Sequence, residues 1–211
     1  MLTVKGDQMK NKYIALFLLC LFHFLILVHS GYAESNHIWV NFLTNPNKQN
    51  YEECSKMIER ARHDSAIEIE MDDFFTKNNY AYFHAFLKLI RNNDHALTLA
   101  FEIAPLVDGG SAEDIRQAAA ASINRNPKFY LFLLKNYKDI INPELYLLIT
   151  ESQFDDDKNI VNETINILMQ RVCAFEKVHD TDYQDIKKES IKTLNYRIAE
   201  LRELIGQRGT P

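Results

Sequence analysis

Apolar residues recur along this chain at spacings of three and four. Tyr51, Cys54, Ile58 and Ala61 share one face over 51–63, and Ile67, Met71, Phe74 and Phe75 mark a second segment over 65–77. Tyr82, Phe83, Phe86, Leu87 and Ile90 mark a third over 79–92. This period predicts an amphipathic helix in each segment. Asn93-Asp94 offers a cap for a fourth helix over 94–107. Ser111, with Asp114 three residues on, resembles a capping box and opens a fifth. Asn126-Pro127 and Asn142-Pro143 open a sixth and a seventh, each placing a capping Asn before Pro at the first helical position. Two longer seams follow in 157–206. One is Val161, Ile165, Leu168, Val172 and Phe175; the other is Ile191, Leu194, Ile198, Leu201 and Ile205. They can satisfy each other as an antiparallel hairpin, or the last can face a partner. No alternating β-branched runs are present, so the expected class is all-α, built of antiparallel helical hairpins. Residues 34–50, with "NFLTNPNKQN", read as a loop or short extended entry.

A faint internal repeat lies in the middle. "IRNNDHALTLAF" at 90–101 aligns with "INRNPKFYLFLL" at 123–134 at an offset of 33, matching Ile90 with Ile123 and Asn93 with Asn126. Stacked helical hairpins produce offsets of this size. Over 65–150 the chain resembles HEAT-like α-helical repeat proteins in pattern, without meeting a repeat consensus. That resemblance implies pairs of antiparallel helices packed side by side.

The N-terminus changes the setting. Lys10 and Lys12 precede "YIALFLLCLFHFLILV", and "HSGYAES" follows. A basic start, an apolar run and small residues form the pattern of a secretory signal peptide over 1–33, cut after Ala33 and starting naturally at Met9. Retention as an anchor is the alternative, since the run can span a bilayer. Cys20, inside the apolar run, is a poor lipidation site. The remainder, 34–211, is long enough for one all-helical domain with its own core. The chain carries 24 basic and 29 acidic residues, and 34–211 has a net charge of about −7. Such a balance disfavours nucleic acid and anionic membrane surfaces as partners.

Export makes a disulfide between Cys54 and Cys173 chemically possible. "NET" at 162–164 matches a glycosylation acceptor but falls in a helical stretch. "HDTD" places His179, Asp180 and Asp182 close together as a weak candidate for a divalent ion. "DDDKN" at 155–159 starts like a calcium loop, but its sixth and twelfth positions are Ile160 and Asn166 rather than Gly and Glu. No nucleophile elbow is present, and histidines 37, 63, 84 and 95 are scattered. The acidic pairs Glu68/Glu70 and Asp72/Asp73 fit solvated faces. In "LVDGGSAEDI" the carboxylates of Asp108, Glu113 and Asp114 oppose an anion at Gly109-Gly110, so the stretch reads as a helix corner.

Aromatics are dense in "DDFFTKNNYAYFHAF" and "PKFYLFLLKNY", which includes Phe129, Phe132 and Tyr137. Tyr80, Tyr82 and Tyr130 are the expected exposed members, suited to a protein interface. The function expected is therefore that of an exported, periplasmic or secreted bacterial protein that binds another protein without catalysis. An inhibitor or immunity-type protein is one concrete version. No cofactor, no nucleic acid and no membrane anchor after cleavage are implied. The alternatives are a metal-dependent or hydrolytic envelope enzyme using His179, Asp180 and Asp182 or the acidic pair near Asp72, and a small-ligand protein with a groove at Tyr82 and Phe86.

Overall fold

A computed structural model describes residues 37–76, 80–107, 109–150 and 158–207. The segment 1–33 and most of "DDDKN" lie outside the described residues, as do the side chain of Asp72 and that of Glu70. Among the described residues the protein is all-α, with no strand. The helices are α1 (37–44), α2 (Lys48–Ala61), α3 (Ser65–Thr76), α4 (Ala81–Ile90), α5 (Asp94–Ile103) and α6 (Gly109–Ala121). Then come α7 (Pro127–Tyr137), α8 (Pro143–Leu148), α9 (Lys158–Glu176), a single 3-10 turn at Thr181–Tyr183, and α10 (Gln184–Gln207).

Helix α1 corrects the expected loop or extended entry over 34–50. Trp39 and Phe42, three apart, are fully buried. Trp39 stacks on Phe74 and meets Phe75 and Phe86 edge-on with ring centroids 5.0 to 6.1 Å away. Burial of such rings supplies the stability that a two-turn helix lacks on its own. Helix α6 begins at Gly109, two residues before Ser111, and Gly109 itself takes a φ of 53° that a side chain disfavours.

Four other helix starts are set by side-chain caps. Asn47, Asn93, Asn126 and Asn142 each accept a backbone N–H from the first turn of α2, α5, α7 and α8. Three of these corners are also tied together. Asn93 donates its side-chain amide to the carbonyl of Pro46 at 3.3 Å, beside the cap of α2. Asn126 donates in the same way to Asp94 at 3.0 Å, beside the cap of α5. Arg125 adds a bond to Asp94 at 2.6 Å and another to the Arg91 carbonyl at 3.1 Å. The N-termini of α2, α5 and α7 therefore sit along one edge.

Packing follows from this alignment. Helix α5 lies against both α2 and α7, and α4 packs on α6, α6 on α8, and α8 on α10. One core cluster runs from Trp39 to Leu201. The two C-terminal seams bury against each other: Leu168, Phe175 and Leu194 are fully covered, and Val161, Ile165, Ile198 and Leu201 nearly so. Lys187 near the start of α10 donates to Val178 just past the end of α9, while Arg202 near the end of α10 meets Met169 of α9. The pair is thus antiparallel, and the α10 seam is covered by its own chain. No described helix is long and apolar enough to cross a membrane.

Candidate functional site

Helix α5 carries two kinds of face. Ala96, Leu97, Leu99, Ala100 and Ile103 are buried in the core. Asp94, His95, Thr98 and Glu102 point instead between α2 and α7. The first three line a groove of about 530 Å³ with Tyr51 of α2 and with Phe129, Phe132, Asn136 and Tyr137 of α7. His95 stacks on Tyr51 with centroids 5.2 Å apart, and Phe132 stacks on Phe129 at 5.6 Å. Phe132 is 40 % exposed, although it is one of the larger apolar side chains.

Glu102 lies behind Tyr51 and Tyr137, two of the residues that line the groove. It is buried, yet no cation holds its carboxylate within ion-pair distance among the described residues. Two phenols from opposite walls converge on it instead. Tyr51 donates to Oε1 at 3.2 Å and Tyr137 donates to the same oxygen at 2.7 Å. Oε2 is buried without a hydrogen-bond partner. Burial and the adjacent Glu102 charge push the Tyr51 hydroxyl up to about 12. Burial, then the bond to Glu102, moves Tyr137 upward as well. Both are therefore neutral donors at any physiological pH. On the far side of Tyr137 a second pocket, about 370 Å³, is lined by Ser55, Glu59, Arg62, Glu102 and Ile140 among others. There Arg62 donates to the Glu102 backbone carbonyl at 3.0 Å and pairs with Glu59 at 3.4 Å.

The residues singled out from the sequence fall elsewhere. Tyr130 is fully buried, not exposed: its hydroxyl donates to the Tyr146 carbonyl at 2.9 Å, and its ring lies against Phe101 and Phe175. Helix α7 is covered on two sides, by α5 and by α9, which places Tyr130 inside. Tyr82 is half-buried and stacks on Phe74 at 4.7 Å, while Phe86 is fully buried. Tyr80 is 48 % exposed and stands in the left-handed region before α4.

Cys54 and Cys173 are both free thiols. Cys54 is buried beneath α1, and Cys173 is exposed on α9, so no bridge joins them. Burial pushes the Cys54 thiol upward. No group of three or more potential ligands forms a metal site among the described residues. Asp180 caps the 3-10 turn and pairs with Lys128 at 2.7 Å, which holds its carboxyl below the usual range. The Asp182 carbonyl accepts from Lys135 at 3.0 Å, and His179 is exposed. These contacts fasten the α9–α10 corner to α7.

Another buried charge also escapes the sequence pattern. Arg171 is 4 % exposed and donates to the Leu147 carbonyl at 2.6 Å, at the end of α8. Burial lowers it to about 10. It serves as a cap on a helix end, where a cation opposes the negative pole.

No protein-family model matches this chain, and no curated protein and no solved structure is significantly similar to it.

Proposed function

We propose that the protein is an exported, non-catalytic module that holds another protein, and that it does so at the groove between α2 and α7. The exposed stack of Phe132 on Phe129 within that groove carries this reading. An apolar ring left in water inside a concave surface gains free energy when a partner covers it. Interfaces draw most of their binding energy from aromatic anchors of this type. Tyr51, His95 and Tyr137 extend the aromatic surface around it. The acidic balance of the chain suits a basic partner. An inhibitor or immunity-type role is one form of this activity.

The test is a photo-crosslinking residue placed at Phe132, with the same residue at Ile69 as a control on another face. The expected outcome is one stoichiometric adduct from the cell envelope at position 132, absent at 69 and lost with Phe129→Ala. Equal capture at both positions, or none at 132, overturns the reading. N-terminal sequencing of the recovered protein checks export, with Glu34 expected as the first residue.

A further inference from the structure

We infer that the groove selects a lysine side chain of the partner, held against its aromatic faces with the buried Glu102 carboxylate behind them; this rests on the groove being the binding surface. Three observations converge. First, the groove walls are rings: Tyr51, His95, Phe129, Phe132 and Tyr137. The face of an aromatic ring is its negative pole and attracts a cation.

Second, both tyrosines donate to one carboxylate oxygen, Oε1 of Glu102. A phenol donating to an anion holds more electron density in its ring, so Glu102 strengthens the negative face of two walls at once. Glu102 is 8 % exposed and its second oxygen has no partner, so this charge is not spent on a hydrogen-bonded ion pair.

Third, no Lys or Arg lines the groove. Two neighbouring cations already have partners: Arg125 pairs with Asp94 at the groove's edge, and Arg62 with Glu59 and the Glu102 carbonyl in the second pocket. Hydrogen-bonding geometry separates lysine from arginine: a guanidinium also stacks on rings, but its planar fork is best satisfied by a carboxylate. The fork of Asp94 is already filled, Oδ1 by Arg125 and Oδ2 by Asn126. An ammonium needs only ring faces and a single acceptor. Asn136 donates its amide to the Phe132 carbonyl at 2.7 Å, which leaves its side-chain oxygen as that acceptor.

The experiment titrates the purified, ¹⁵N-labelled protein at pH 8 with Nα-acetyl-lysine methylamide, and separately with its Nε-acetylated form. Acetylation removes the charge and keeps the alkyl stem. The expected result is movement of the His95, Phe132 and Asn136 amide signals by the lysine probe, with the acetylated probe about threefold to thirtyfold weaker. Glu102→Gln is expected to abolish that preference. Tyr51→Phe, which keeps the ring and the fold but removes one bond to Glu102, is expected to reduce it. Equal binding of the two probes overturns the lysine inference and leaves the groove as a partner surface. No movement by either probe overturns it too, and the crosslink at position 132 then decides separately whether the groove binds a partner.

Discussion

Tyr137 donates its hydroxyl to Oε1 of Glu102 at 2.7 Å, and so ties α7 to α5 through a buried carboxylate. Tyr51 makes the matching bond from α2 at 3.2 Å. The shorter bond is expected to matter more. Tyr137→Phe should lower the unfolding free energy by about 1.5–3 kcal/mol and Tyr51→Phe by about 1 kcal/mol or less, since bonds to a charged group weaken with length. Urea unfolding of both variants checks the order, and a larger effect at Tyr51 contradicts it.

High pH should expose the same feature. Tyr51 is raised to about 12, and burial raises Tyr130, Tyr137 and Tyr146 too. A group raised on folding stabilises the folded state below its unfolded value, near 10, and loses that contribution as pH climbs through the folded value. Stability is therefore expected to fall between pH 10 and 12. Absorbance at 295 nm should show these four phenols still protonated in the native protein at pH 11 and ionising together when urea unfolds it. Their ionisation before unfolding would contradict the burial argument.

Asn126 has two jobs, capping α7 and bonding to Asp94. Asn142 caps α8, and its carboxamide is exposed. Asn126→Ala should cost about 1–2 kcal/mol, more than Asn142→Ala at about 1 kcal/mol. Thermal unfolding of the two variants side by side measures the difference.

The two thiols should differ in reactivity. Iodoacetamide applied to the folded protein is expected to modify Cys173, which is exposed, and spare Cys54, which is buried. Peptide mapping reads the sites. Labelling of Cys54 at the same rate, or a Cys54–Cys173 disulfide-linked peptide, would show a different arrangement of α1 and α2.

Gly109 and Gly110 are open to added side chains, with nothing within 4 Å of either. Only Gly109 has a positive φ, at 53°. Gly109→Ala is expected to destabilise by about 1 kcal/mol through backbone strain. Gly110→Ala should be neutral or stabilise by a few tenths of a kcal/mol. Urea midpoints for the pair would separate conformation from packing at this corner.

The helical class and the capped starts were legible because both are local. An Asn before Pro at 126–127 and 142–143 places a helix start without knowledge of any other segment. The groove was not legible, because it depends on residues far apart meeting. Glu102 sits 51 residues from Tyr51 and 35 from Tyr137. In "LTLAFEIAPL" it reads as one charge on a helix that has room for a polar face. Its only sequence signal is its place in an apolar run, a signal it shares with Arg171 in "NILMQRVCAF". Tyr130 was misplaced for the opposite reason. One apolar stripe implies an outward side, but α7 is covered on both sides, and its neighbour Phe132 takes the exposed position instead.

The row of corners at Pro46, Asn93 and Asn126 bears on how the chain finds its shape. Each corner bonds the one before it, 47 residues back and then 32. Closing loops of that size costs little more than closing shorter ones. Each new helix start can therefore be checked against a corner already in place, in the order in which a ribosome delivers them. A fault at Asn93 should therefore stall everything downstream while leaving α1 to α4 able to gather around Trp39.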